Sequence, residues 1–245
     1  YNFNHTRVHA FQVKVPAQSS GLDKLKIAVA ADIHLSGITR KDFVDQFVNR
    51  MKGTGADIIL LVGDIVESSR ETAKMKYFED RFRELKAPYG VFAVEGNHEN
   101  YGRSEDYDFF AQAGIRLLRD SVVRFEEAFY LAGRKDRHEQ QRQSISGLLQ
   151  HASDSLPVMM MDHQPYELEK AAGNNIDLQF SGHTHHGQLW PLNHITEAIY
   201  RISWGHEQIL DTHFFVTCGA QGWGPPVKTS SYSEIMVVNV HFVKQ

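Results

Sequence analysis

Short apolar runs that each stop at a polar, ligand-type residue set the rhythm of this chain. Leu25 to Ala31 has the length and character of a buried strand and ends at Asp32. Ile58 to Val62 does the same before Gly63-Asp64, and Gly90 to Val94 before Gly96-Asn97-His98. Leu156 to Met161 stops at Asp162-His163, and Ile176 to Phe180 at Gly182-His183. Between the first two runs, Phe43, Phe47, Val48 and Met51 fall at helical spacing over Thr39 to Lys52, and Gly53 and Gly55 close the segment. A second, more polar helix is predicted from about Ser69 to Leu85. Residues 1 to 23 read as an irregular or edge-strand lead-in, and Lys135 to Gln143 as a solvated loop or helix start. The alternation in Phe214 to Thr217 and Glu234 to Phe242 predicts further strands and a second sheet.

Strands alternating with helices predict an α/β protein, and two sheets packed face to face with helices outside bury every apolar face. In such folds the loops beyond the carboxyl ends of the strands converge on one edge, so the polar residues above are predicted to meet. The chain shows no internal repeat and no linker long enough to divide two domains, so one catalytic domain over residues 1–245 is expected. With 245 residues and 42% hydrophobic content, the chain can bury a sizeable core.

Composition narrows the chemistry. A net charge of -4 offers no broad cationic surface for a polynucleotide, so no nucleic-acid partner is expected. Cys218, the single cysteine, excludes an internal disulfide and is expected to be a small buried apolar residue. No stretch approaches the ~18 consecutive apolar residues of a membrane span, so these residues are expected to be soluble. A first residue of Tyr1 rather than Met leads to the expectation of a longer, trimmed or processed parent. The 14 histidines beside 30 acidic residues supply the ligands that Zn, Mn and Fe take when thiolates are scarce.

In chain order the strand ends give Asp32-Ile33-His34, Gly63-Asp64, Gly96-Asn97-His98-Glu99, His163 and Gly182-His183-Thr184-His185. Residues two apart on an extended strand end point the same way, so Asp32 with His34, and His183 with His185, are expected to act as pincers on one centre each. The glycines are expected where a side chain would collide with the site. Each piece has an ordinary explanation alone: Gly-Asp is a routine turn dipeptide, and a lone histidine is usually a hydrogen-bonded structural residue. Their joint occurrence, in order and at successive strand ends, points to a metal site.

This order of motifs resembles the calcineurin-like metallophosphoesterase superfamily over roughly residues 25 to 240. The resemblance implies a four-layer αββα sandwich of two mixed sheets flanked by helices. It also implies two divalent metal ions (Mn, Fe or Zn), with Asp32, His34, Asp64 and His185 on one, and Asp64, Asn97, His163 and His183 on the other. Such a site cleaves phosphate esters or anhydrides through a metal-bound hydroxide. His98 would protonate the leaving oxygen or stabilise charge on the transferring group, and Glu67 would orient it in place of the family's usual Asp. Purple acid phosphatases carry a Tyr where Glu67 stands, and protein phosphatases an Arg where Ser68 stands; Arg70 is not equivalent.

The segments Gly182 to Gln188 and Gly222 to Pro226 are similar to the GHTHGGQ and GWGPP marks of a bacterial, membrane-associated phosphodiesterase-like branch. Some of its members resemble UDP-diacylglucosamine pyrophosphohydrolases. His186 replaces a usual Gly and Lys228 a usual Arg. That resemblance implies a phosphorylated small-molecule or lipid substrate and a bacterial cell membrane or envelope setting, with membrane contact through a segment outside these residues. Trp190, Trp223 and Tyr232 are candidates to line an amphipathic cleft, and Arg40, Arg201 and Lys228 to contact phosphate. The alternative reading is a non-catalytic metal-binding scaffold of the same fold; its relatives typically lose ligands or His98, and this chain retains both.

Overall fold

The computed structural model describes the chain except residues 1, 4, 18–19, 68–72, 102–107, 153–154 and 245. In chain order the strands and helices that frame the site are β1 (Arg7–Pro16), β2 (Lys24–Ala30), α1 (Lys41–Gly53), β3 (Ile58–Val62), α2 (Ala73–Phe82), β4 (Val91–Val94) and α3 (Asn97–Asn100). Then come α4 (Phe109–Ala113), β5 (Arg116–Leu117), β6 (Ser121–Phe125), β7 (Phe129–Gly133), α5 (Ile145–Leu148), β8 (Val158–Met161), α6 (Leu168–Ala172) and β9 (Leu178–Ser181). A single 3-10 turn (His185–Gly187), α7 (Leu192–Ile199), β10 (Gly205–Ile209), β11 (Thr212–Val216) and β12 (Glu234–Val243) complete them.

The strands form two six-stranded sheets, ordered β1-β12-β2-β3-β4-β5 and β10-β11-β9-β8-β7-β6. Pairing is parallel from β2 through β5 and across β11, β9, β8 and β7, with antiparallel steps at β12–β2, β10–β11 and β6–β7. The period of two along each strand explains the layers. Ile58, Leu60 and Val62 of β3 join Met159, Met161 and Phe180 in the core between the sheets. Ile59 and Leu61 turn the other way, onto Phe47, Val48 and Met51 of α1 and Phe78 and Phe82 of α2. On the far sheet, Met160 and Phe214 pack under Leu148 of α5 and Leu168 of α6. Strands buried on both faces read as unbroken apolar runs, and this four-layer αββα sandwich is the architecture the sequence implies.

Helix α1 buries Phe43, Val44, Phe47, Val48 and Met51 along one stripe. Full burial of one such side chain contributes about 1.5–3 kcal/mol. Asp42 in its first turn and Arg50 and Lys52 in its last complement the helix dipole. The second expected helix is α2, Ala73–Phe82; its anticipated start at Ser69, and Ser68 and Arg70, lie outside the described residues. The lead-in contains a true strand, β1, which pairs parallel with β12 at the sheet edge. Lys135 to Gln143 forms no helix, and it is only partly a solvated loop, because Asp136 is buried.

Candidate metal centre

The C-terminal ends of β2, β3, β4, β8 and β9 bring the motif residues to one edge. The loops after β2 and β3 run together: Asp32 N–H donates to Gly63 O at 3.0 Å, Ile33 N–H to Asp64 O at 2.8 Å and Leu35 N–H to Ile65 O at 2.8 Å. The loop after β9 is tied to them by His183 N–H, which lies 3.0 and 3.1 Å from the two Asp32 carboxylate oxygens. Asp64 receives His98 N–H at 2.9 Å, so the loops after β3 and β4 are joined through a carboxylate.

The pairs converge, but not as pincers on extended strand ends. Asp32 (φ 54), His34 (φ 51), Asp64 (φ 52), His183 (φ 72) and His185 (φ 48) all occupy the left-handed region. Residues other than glycine rarely adopt it, and the kinked backbone rather than strand alternation aims these side chains. Space is correspondingly tight. A Cβ on Gly96 would overlap the Asp64 carboxylate, and one on Gly182 would overlap Ala31 and Asp32.

Two sets of metal-competent atoms result. Asp32, His34 and His185 offer one; Asp64, His163 and His183 offer the other, and Asp64 also groups with His34 and His98. His163 Nδ1 lies 2.8 Å from Val62 O, a carbonyl that can only accept, so that nitrogen carries the hydrogen. Its Nε2 lies 3.2 Å from Asp64 Oδ2, and against the effect of burial that carboxylate holds the imidazole well above its ordinary value. His34 Nε2 and His185 Nε2 face each other at 3.2 Å. Among the described residues, the buried Asn97 Oδ1, His163 Nε2 and His185 Nδ1 have no hydrogen-bond partner. Electron-pair donors crowded together and left unpaired in a buried site fit divalent cations held by imidazole, carboxylate and amide oxygen.

The electrostatics agree with that fit. Burial pushes the Asp32 carboxyl up to about 6, against the pull of His163. Burial also opposes ionisation of Asp64, yet neighbouring His163 and His34 hold its carboxyl well below the usual range. Burial lowers His183 to about 4 and takes His185 well below its ordinary value, leaving both rings neutral, the form in which imidazole can bind a metal. Glu67 Oε1 and Oε2 lie 2.7 Å from His34 Nδ1 and 2.8 Å from His98 Nδ1. Its burial is outweighed by these two imidazoles, which bring the carboxyl down to about 2. His98 is raised, burial notwithstanding, because Glu67 stabilises its charged form.

Glu99 is the residue that sequence reasoning passed over. Its buried carboxylate accepts N–H groups from Gly96 (2.7 Å), Asp64 (3.0 Å), Ile65 (2.6 Å) and Val66 (3.0 Å), clamping the loops after β3 and β4. Burial, then the nearby Asp64 charge, raise its carboxyl to about 7, with the N–H donors pulling the other way. A glutamate three residues after Gly96 at a helix start was the available signal, since that spacing lets a carboxylate reach back to the cap N–H.

The substrate candidates divide. Trp223 reaches the site, its ring 6.2 Å from that of His98. Trp190 is exposed, with its main-chain N–H donating to Thr229 Oγ1. Tyr232 bonds His9 through its hydroxyl and lies under the Arg7 guanidinium. Arg40 pairs with Asp42 on the exposed start of α1, and Arg201 with Glu169 and Glu207 on the surface. Lys228 is buried, and its Nζ donates to the carbonyls of Cys218 (2.7 Å), Gly219 (2.9 Å) and Tyr232 (3.2 Å). All three ammonium hydrogens are thereby engaged, which corrects the expectation that Lys228 serves as a phosphate contact. Gly219 packs on Asp32 and His185, so Lys228 fastens the loop beneath them. His186 turns aside, its Nδ1 2.8 Å from Ser203 Oγ. Cys218 is free and buried, as expected.

Comparison with known proteins agrees with this geometry. A metallophosphoesterase of Helicobacter pylori is 31% identical over 230 residues, 91% of this chain and 61% of that protein, so the chain spans less than two thirds of that relative. One from Aquifex aeolicus is 28% identical over 96% of this chain and 91% of its own length. A transmembrane protein with metallophosphoesterase domain from Bos taurus is 27% identical, over 93% of this chain and 55% of its own. Among solved structures, GAP50, the anchor in the inner membrane complex of Plasmodium, shares the fold with a TM-score of 0.51 at 14% identity, covering 89% of this chain and 81% of that one. Residues 25–187 match the calcineurin-like phosphoesterase family, and the chain belongs to that family of metal-dependent phosphoric ester hydrolases.

Proposed function

We propose that the protein is a dinuclear metal-dependent phosphohydrolase that cleaves a phosphodiester or phosphoanhydride. One observation supports this above the others: Asp64 belongs to two groups of metal-competent side chains, one with His34 and His98 and one with His163 and His183. Asp32, His34, Asp64 and His185 would hold one cation, and Asp64, Asn97, His163 and His183 the other, of the Mn, Fe or Zn class. Bound there, the pair would polarise phosphoryl oxygens and lower the pKa of a water from ~15.7 towards neutrality. The chain's own residues do the rest. Glu67 holds the Nδ1–H edges of His34 and His98, which leaves Nε2 of His34 for a cation and Nε2–H of an imidazolium His98 for the leaving oxygen. Glu99 keeps the loops bearing Asp64 and Asn97 in register.

The test is turnover of bis-p-nitrophenyl phosphate and p-nitrophenyl phosphate with added Mn, abolished by chelation and restored by metal. His98→Ala should lower turnover by roughly 10²–10⁴-fold while two metals per chain remain. Protein containing two metals that hydrolyses neither ester would instead support the scaffold reading.

A phosphorylated small-molecule or lipid substrate in a membrane-linked envelope setting belongs to the same proposal. It is supported by the motif resemblance and by a relative named as a transmembrane protein. Among the described residues no helix is long and apolar enough to cross a membrane. Activity found wholly in the soluble fraction of cells that naturally make the protein would refute the membrane setting.

A further inference from the structure

His98 lies in an aromatic notch. Its ring centroid is 5.4 Å from that of Tyr101 and 6.2 Å from that of Trp223, both edge-on. The two flanking rings face solvent, Tyr101 at 70% and Trp223 at 58% exposure. Residues 222–233 contain no helix or strand, and an indole on such a segment would ordinarily sweep many positions. Here the backbone beneath it is held by one buried side chain. Gln188 Nε2 donates to Trp223 O at 2.8 Å and Pro225 O at 3.3 Å, while its Oε1 accepts Trp223 N–H at 2.9 Å. Its main-chain carbonyl takes the N–H groups of Thr229 (2.9 Å) and Ser230 (3.2 Å). Both ends of the loop therefore hang on a residue three positions after His185.

The Gln188 amide pairs with Trp223 as one peptide group pairs with another. Glu has no N–H to donate, Leu has neither partner, and Asn is one methylene short. A Cβ on Gly222 would overlap Gln188 Oε1 and press on the Phe3 ring, so the loop seats closely on this amide. An exposed indole fixed beside the candidate acid, with the Tyr101 ring also edge-on to that acid, offers an aromatic surface where a leaving group on the His98 side would lie.

We propose that Gln188 is a positioning residue that holds Trp223 beside His98, making the site selective for phosphate esters whose leaving group presents an aromatic ring. This rests on the hydrolase reading above, which places the leaving group on the His98 side. Offset or edge-on ring contacts of this kind are worth about 3- to 10-fold in affinity.

The experiment measures calorimetric Kd values of the Mn-loaded full chain for phenylphosphonate and methylphosphonate, which share the phosphonate head and differ in the ring. The native protein should bind the phenyl compound about 3- to 10-fold more tightly. Trp223→Ala and Gln188→Glu should bring the ratio to about one with two metals still bound, and Trp223→Phe should keep most of the preference. Equal Kd values in the native protein, or a preference surviving in Trp223→Ala, would overturn the assignment of Trp223. A preference surviving in Gln188→Glu would overturn the positioning role. Failure of either phosphonate to bind the loaded protein would sink the hydrolase reading itself.

Discussion

The two edges of the sheets carry the same residue type in opposite states. At the N-terminal edge, Asp57 precedes β3 and Asp177 precedes β9, and each carboxylate accepts an N–H at the start of the neighbouring strand: Lys26 at 2.7 Å and Val158 at 2.7 Å. Main-chain bonds from Asp57 N–H to Lys26 O (2.8 Å) and from Asp177 N–H to Val158 O (2.9 Å) close both corners. At the C-terminal edge, Asp64 also accepts one N–H, but its second oxygen faces His163 Nε2 at 3.2 Å, inside a group of metal-competent side chains. A cleft of about 620 Å³ lies on the N-terminal edge, between Leu149, Ala172, Asp177 and Asp211. None of the metal-competent groups found among the described residues lines it. A cleft alone is thus a poor guide to the chemistry of this molecule, and what each carboxylate oxygen faces is a better one.

Charge neutralisation at the two edges gives the sharpest contrast. Asp64→Asn should lower kcat/KM for bis-p-nitrophenyl phosphate by roughly 10³-fold, about 4 kcal/mol, and release at least one metal. Asp57→Asn should leave both within about 2-fold, because its amide oxygen still caps the strand corner. Elemental analysis checks this, and unchanged metal content in Asp64→Asn would count against a bridging carboxylate. A smaller effect is expected at Glu99. Glu99→Gln leaves one acceptor oxygen for four N–H groups and should weaken metal affinity by about 10–100-fold in a chelator competition. Native-like affinity would mean that the clamp does not shape the centre.

The smallest effect concerns pH and isolates the other edge. Burial pushes the Asp177 carboxyl up to about 6, with Val158 N–H pulling it down and Asp211 adding to the rise. The folded state therefore keeps this proton when the unfolded chain has released it. The group costs nothing below its unfolded value near 3.8, and stability falls as pH rises towards 6. Asp177→Asn removes that slope, so the variant should gain on the order of 2 kcal/mol over the native protein between pH 4 and pH 7. Urea midpoints across the range measure it, and parallel profiles for the two proteins would refute it.

Much of this was legible in the sequence because parallel strands buried on both faces leave unbroken apolar runs, and five of these end at β2, β3, β4, β8 and β9. β7 escaped notice: Phe129–Gly133 is fully buried, but no ligand-type pair follows it to draw attention. The pairing of Asp32 with His34 was anticipated from strand alternation, whereas left-handed backbone produces it, and no spacing rule encodes φ. Glu99 and Gln188 were hidden for a related reason. Both act through main-chain partners, and a sequence names side chains without showing which N–H groups they will meet. The Lys228 cation looked like an anion contact until its burial against three carbonyls was seen.

The left-handed backbone at Asp32, His34, Asp64, His183 and His185 sets function against robustness. Glycine at any of these positions would relax the backbone and remove a proposed ligand in one step, so the substitutions that most ease the fold are those that would empty the proposed site. Selection for heat resistance alone would drive such a chain towards an inert shell, so a screen for thermostable variants of this protein has to score turnover beside melting temperature.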